Sequence, residues 1–171
     1  DEIERLMARH GATHFYLADQ YISAPTLERL SDEILRRDLR LHFHLMARPT
    51  QDHTPARLAK AAAAGCRWIS WGIETGSQRL LSLVRKGTRR DVIERLMHDS
   101  HQAGIANLMM MIFGLPTSTA DDLEQTFDLI DQVYPSVAAI KSSSFVLFDG
   151  TPFARDAARF GLVVTDRQEL L

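Results

Sequence analysis

The sequence predicts an α/β fold built on one parallel sheet, and three observations carry that prediction. Five apolar, strand-like runs recur along the 171 residues. Helical patterns with conventional ends fill the gaps between them, at the roughly 30-residue spacing of right-handed crossovers. The runs are apolar on both faces, which suits strands covered on both sides. An open doubly wound sheet and a (β/α) barrel both meet these conditions. Either architecture puts its ligands at the carboxyl ends of the strands.

Residues 13–18 (THFYLA) read as the first strand. Pro25, a favoured first-turn residue, opens a helix in which Leu27, Leu30, Ile34 and Leu35 keep helical spacing. Residues 41–46 (LHFHLM) are the second strand, and Thr54-Pro55 then opens an alanine-rich helix that Gly65 stops. The third strand, 67–73 (RWISWGI), ends against Glu74, and a short helix over 77–84 hangs from it. Gly76 permits a tight turn there and Ser77 can cap the helix. Thr88 with Asp91 reads as a capping-box pair for a helix running to Gly104, with Val92, Ile93, Leu96 and Met97 as its apolar face. The fourth strand is 106–113 (ANLMMMIF). Thr119 with Asp122 repeats the capping device before the fifth strand, 138–147 (AAIKSSSFVL).

Composition narrows the function classes. With 45% hydrophobic and 25% charged residues the chain reads as one globular domain spanning 1–171. A net charge of -2 gives no electrostatic case for a nucleic-acid binder. The lone cysteine, Cys66, excludes an internal disulfide and an all-cysteine metal cage within the chain. No apolar stretch approaches the ~20 residues of a membrane span and no signal-peptide pattern is present, so the expected setting is cytoplasmic, with no membrane partner. The chain opens on Asp1 rather than Met and reads as a piece of something longer.

The strand ends hold the chemistry. In order they are Asp19-Gln20, Arg48-Pro49, Glu74-Thr75-Gly76, Gly114-Leu115-Pro116 and Asp149-Gly150-Thr151-Pro152. Charges of both signs converge there with three glycines, a rim suited to a zwitterionic small molecule. A structural ion-pair network of Asp19, Arg48 and Glu74 is the plainer reading. Glu74 stands out because a carboxylate ending a buried strand is costly without a partner or a water-filled cleft. His42 and His44 flank Phe43 and so face one side of their strand. In a barrel hydrolase such a pair binds a metal, with Glu74 or Asp19 to help, although it lies early in its strand. The basic cluster 85–90 reads mostly as a solvated turn. Met109 and Met111 face one side and Met110 the other, and Trp68 and Trp71 also take opposite faces; core packing is the favoured reading for all five.

Three stretches, GIETGSQRLLSLVRKGTRRDVIERLMHDSHQAGI, MIFGLPTSTADDLEQTFDLI and FVLFDGTPFARDAARFGL, occur in an order that resembles the radical S-adenosylmethionine superfamily. The likeness is to its cobalamin-binding and methylthiotransferase-like branches. YLADQYI and LHFHLMARPTQ resemble two further strands of that branch, the second ending on a cofactor-facing arginine. The resemblance covers nearly the whole chain. It implies a partial (β/α) barrel, about five parallel strands of a six-stranded barrel, holding S-adenosylmethionine and a [4Fe–4S] cluster. In that branch cobalamin, bound by an upstream domain, is a further cofactor. By the resemblance, Glu74 and Lys86 contact S-adenosylmethionine, Arg48 lies near its carboxylate, and Asp19 meets the methionyl amine or the substrate. Gly114 and Pro116 shape the loop beside the adenine, and Gly150 and Thr151 close the last strand.

The implied activity is that of a radical S-adenosylmethionine enzyme. Cofactor and substrate are positioned for reductive cleavage to a 5′-deoxyadenosyl radical, in methyl, methylthio or related group transfer or rearrangement. The family's CxxxCxxC loop is missing, so the three cluster thiolates are expected in a first βα unit upstream of residue 1, and the 171-residue chain alone is expected to be inactive. Cys66, in AGCRW at the end of its helix, is expected to pack as a small hydrophobe. Thr75 stands where the family has serine, and Asp149 where it commonly has proline. The alternatives are a metal-dependent barrel hydrolase using His42 and His44, and a non-catalytic degenerate barrel. With a strand missing upstream, 13–18 becomes an edge without lysine, proline or bulge to protect it, and self-association through it is expected. No substrate is legible.

Overall fold

A computed structural model describes residues 2–19 and 21–163; the strand-end position Gln20 lies outside them. Strands β1 (His14–Tyr16), β2 (His42–Ala47), β3 (Cys66–Glu74), β4 (Ala106–Phe113) and β5 (Ala139–Ser144) lie side by side in sequence order, each parallel to the next. They curl into a half-barrel. This order decides between the two architectures. A doubly wound sheet reverses its strand order at a switch point, whereas a barrel adds each strand on the same side.

Helix α1 (Glu2–His10) precedes β1, helices α2 (Ala24–Arg36), α3 (Pro55–Ala63), α4 (Gln78–Leu83), α5 (Arg90–Gln102) and α6 (Ala120–Val133) connect the strands, and a short α7 (Pro152–Arg155) follows β5. Phe43, Leu45, Ile69, Trp71 and Met109 turn to the helix side and form one core with Leu27, Leu58, Ile93 and Leu96. On β2 the alternation is plain: His42, His44 and Arg48 are exposed where Phe43, Leu45 and Ala47 are buried. The exposed set faces the concave side of the half-barrel.

Several boundaries move. The first strand pairs over three residues only, and the fifth stops at Ser144, although Phe145 N still donates to Phe113 O at 2.8 Å. Helix α1 has no counterpart in the sequence reading; its Ile3 and Met7 pack against the core. Cys66 begins β3 rather than ending α3, and it is fully buried. Thr119 and Asp122 form the expected capping box of α6. Thr88 and Asp91 do not form one. Helix α5 starts one residue later than that pairing requires, Arg89 takes the cap position without a side-chain bond, and Asp91 pairs with Arg89 instead.

Candidate functional site

Glu74 owes its placement to a bulge. Gly72 lies opposite Met110 and Glu74 opposite Met111, so β3 carries one extra residue, Ile73, which is fully buried. The backbone at Glu74 is left-handed, with φ 71°. For a residue with a Cβ that conformation costs roughly 1–2 kcal/mol, and such strain collects where a structure must aim a side chain. The carboxylate meets Lys86, whose Nζ donates to Oε1 at 2.5 Å. The two side chains are 20% and 14% exposed. Lys86 is returned to the strand end by α4, whose last turn closes when Lys86 N donates to Leu81 O at 2.9 Å. Gly72 makes room for the pair: a Cβ there would lie 3.0 Å from Lys86 Nζ and 3.1 Å from Glu74 Oε1.

The turn after Glu74 is bolted to α6. Gly76 N donates to Thr126 Oγ1 at 3.1 Å, Thr75 and Thr126 share a hydroxyl bond at 3.0 Å, and Ser77 Oγ donates to Asp122 at 2.5 Å. Gly76 is needed for space, not for turning freedom. Its φ is not positive, and a Cβ would lie 2.6 Å from Gln125 O and 2.7 Å from Thr126 Cα. Asp122 is 2% exposed and accepts from Ser77, Thr119 and a forked Arg79. Arg79, foremost among these partners, holds its carboxyl well below the usual carboxylate range. Arg79 also donates to Thr117 O at 2.7 Å, which fastens the loop after β4 to α4.

A cavity of about 540 Å³ opens beside the Glu74–Lys86 pair. Arg48, Glu74, Lys86 and Thr151, four of the residues singled out in the sequence, line it together. Arg85, whose φ is 51°, joins them, although the basic cluster reads as a solvated turn. Ser143 adds a hydroxyl, and Phe145, Phe148 and Phe153 form an aromatic wall. The sequence reading missed this wall: Phe145 was absorbed into the fifth strand, read as 138–147, and Phe148 and Phe153 were not singled out.

The other predicted positions serve differently. Asp19 is exposed and does not line this cavity. Gly114 (φ 75°) and the buried Pro116 flank Leu115, and it is Leu115 that lines the wall. Gly150 (φ 75°) turns the chain into Thr151, which caps α7 by accepting from Ala154 N at 3.3 Å. Asp19, Arg48 and Glu74 form no mutual ion pair: Glu74 takes Lys86, and the Arg48 guanidinium lies 4.7 Å from the centre of the Tyr21 ring.

His42 and His44 share the concave face, as alternation requires, but their neighbours are rings. His42 meets His14 edge-on at 5.1 Å, and His44 stacks on Tyr16 at 4.6 Å. Among the described residues no group of three or more His, Cys, Asp or Glu could hold a metal ion. Burial pushes the Cys66 thiol up to about 12, so it is neither nucleophile nor ready metal ligand. No helix is long and apolar enough to cross a membrane among these residues.

Comparison with known proteins gives this arrangement a family. The chain is 30% identical over 144 residues to the anaerobic magnesium-protoporphyrin IX monomethyl ester cyclase of Rubrivivax gelatinosus, covering 81% of this chain and 25% of that protein. The corresponding cyclase of Cereibacter sphaeroides is 29% identical over 146 residues, again covering 81% of the chain and 23% of the relative. The chain thus spans about a quarter of the length of the curated relatives it matches. Its fold superposes on the radical S-adenosylmethionine methyltransferase TsrM of Kitasatospora setae, solved with cobalamin and a [4Fe–4S] cluster. The TM-score is 0.81 at 25% identity, over 93% of this chain and 30% of that one. The cobalamin-dependent radical enzyme OxsB shares the fold at a TM-score of 0.67 and 19% identity, over 94% of this chain and 25% of its own. The Radical SAM superfamily profile matches residues 1–130, and the chain belongs to that superfamily.

Proposed function

We propose that the cavity beside Glu74 and Lys86 binds S-adenosylmethionine, and that the chain is the cofactor- and substrate-positioning part of a radical enzyme. One observation carries this: Arg48, Glu74, Lys86 and Thr151 arrive from separate segments and line a single cavity. Its volume, about 540 Å³, falls within the roughly 300–1,000 Å³ of small-molecule sites. The residues fit the molecule. Arg48 and Arg85 would hold the methionyl carboxylate, Glu74 the ammonium, and Ser143 and Thr151 the ribose hydroxyls. The phenylalanine wall would cover the adenine. Lys86 keeps the Glu74 carboxylate oriented until the ligand's own cation arrives.

The cluster and S-adenosylmethionine together supply the one-electron chemistry when bound. Cys66 is the one cysteine of the chain, and it is buried, so the cluster thiolates are assigned to residues outside this chain. Cobalamin, present in the TsrM and OxsB structures, is likewise assigned to a domain outside it. A methyl, methylthio or related transfer or rearrangement is the reaction class. A reducing, cytoplasmic compartment suits a chain with a free thiol and no disulfide. A second surface belongs to this reading: the free edge of β1 pairs with another copy of the isolated chain.

Calorimetric titration of S-adenosylmethionine into the chain and its Glu74→Gln variant tests the cofactor site. Loss of a charge-assisted bond is expected to weaken binding roughly tenfold to hundredfold, with the fold retained. Equal affinity in the two, with a lower melting temperature in the variant, would return Glu74 and Lys86 to a structural ion pair.

A further inference from the structure

Charge is segregated in this molecule. Of its 22 acidic residues, Glu74 is the one that lies in a described strand, and Lys86 holds it. The bases are placed differently. On the concave side the strands present His14, His42, His44 and Lys141, with Arg48 at the rim just beyond β2. Apart from the paired Glu74, the described strands carry no acid, and the concave face bears basic side chains instead.

Lys141 is the informative member. It sits in the middle of β5 in register with Met110, and cross-strand partners share a face, so it stands on the concave side with Leu108 and Met110. Two residues on, at roughly 7 Å along the strand, Ser143 already lines the cofactor cavity. Lys141 is exposed and has no hydrogen-bond or ion-pair partner among the described residues. The surface beside it is apolar. Leu108 and Met110 are half-buried there, and further down the same face Trp68, in register with Ala106 and with His44, is half-buried near the Tyr16–His44 stack. A lone cation over an apolar, aromatic floor is a recognition pattern for an anion with a hydrophobic body.

We infer that this chamber takes, beside the cofactor, an anionic substrate with a flat apolar body, its rings over Trp68 and Met110 and its charged group at Lys141. The inference rests on the cofactor reading above and adds the substrate class. The anion is a carboxylate or a group of like charge and geometry. A competing role for Lys141 exists, since an inward-pointing charge also protects an edge strand such as β5 from pairing with other chains.

Two dyes with one ring system separate these roles: anilinonaphthalenesulfonate and its uncharged parent, phenylnaphthylamine. Each is titrated into the 171-residue chain by fluorescence, with the indole N–H resonances of Trp68 and Trp71 followed by NMR. The sulfonate is expected to bind about tenfold more tightly or better, and the ratio should fall as salt is raised. The Trp68 indole should shift, while that of Trp71, held by Asn107 at 2.8 Å, should not. Lys141→Gln should abolish the preference and Lys141→Arg should keep it.

Equal affinity for the two dyes overturns the inference. So does a salt-independent ratio, or a dye that shifts the exposed Leu123 and Phe127 of α6 instead of Trp68. Lys141→Gln with the preference intact and light scattering raised assigns the lysine to edge protection and overturns it too. Titration with S-adenosylmethionine keeps the two readings apart. A chain that prefers the sulfonate but takes up no cofactor defeats the cofactor site and retains the anionic chamber, whereas the converse defeats the chamber alone.

Discussion

Glu74 reaches Lys86 because Gly72, one rung earlier on the same face, has no Cβ to stand between them. The two glycines that lie two residues before and after this carboxylate therefore make opposite predictions. Gly72→Ala would press on the tips of two flexible side chains, which can move aside. Stability should change by no more than about 0.5 kcal/mol, while S-adenosylmethionine affinity, read by calorimetry, should fall roughly tenfold as the pair is pushed apart. Gly76→Ala would drive a methyl into the backbone of α6, and denaturant unfolding should show a loss of about 1–3 kcal/mol. A fall in stability at Gly72, or none at Gly76, would contradict this assignment. Glu74 itself was legible in the sequence, because a charge closing an apolar run before Gly-Ser has few bland explanations. Gly72 was not. A strand glycine says nothing of what it spares until the folded chain brings a lysine 14 residues away against it.

Helices α4 and α6 act as one clamp on the strand-end turn, and Asp122 is its pin. The caps of both helices pass through that single carboxylate: Thr119 at the start of α6 and Ser77 at the start of α4. Asp122→Asn should therefore loosen both together, lowering stability at neutral pH by roughly 2–3 kcal/mol. The pH dependence has a definite sign. The folded carboxyl is held below its unfolded value of about 3.9, so its stabilisation is complete above that pH and lost as acid protonates the folded form. Denaturation midpoints measured from pH 7 down to pH 3 should converge for the native chain and the variant; parallel curves would show that Asp122 is no clamp. The local half of this device, a threonine and an aspartate three apart, could be read directly. The Arg79–Asp122 contact spans 43 residues, and no periodicity encodes it. Thr88 and Asp91 had the same spacing and failed, since an arginine two residues away competes for the aspartate.

The half-barrel as a whole leaves β1 with β2 as its one partner among the described strands. Thr13 O and Leu17 N bond to β2, so the peptide groups of His14 and Tyr16 turn toward the free edge. The side chains soften the hazard seen in the sequence, because Phe15 and Leu17 pack on the core and Tyr16 stacks on His44. The backbone does not. Light scattering of the isolated chain should rise with concentration, and hydrogen exchange at His14 and Tyr16 should slow as it does. A monomer at high concentration with those amides exchanging freely would show that the edge is tolerated. The strand order was legible because parallel crossovers leave few topologies open. The aromatic wall after β5 was not, since Phe145, Val146 and Leu147 continue the strand as an apolar run and nothing local announces where pairing stops.

Cys66 gives the experimenter a silent background. Its sulfur is fully buried, and with the thiol raised to about 12 almost no thiolate exists at neutral pH, so maleimides and spin labels have no native target. A cysteine placed at Ser70 or Ser143, both on the concave side, would then be the sole reactive handle in the chain. A probe attached there would report what enters the chamber without any native residue having been removed to make room for it but a serine.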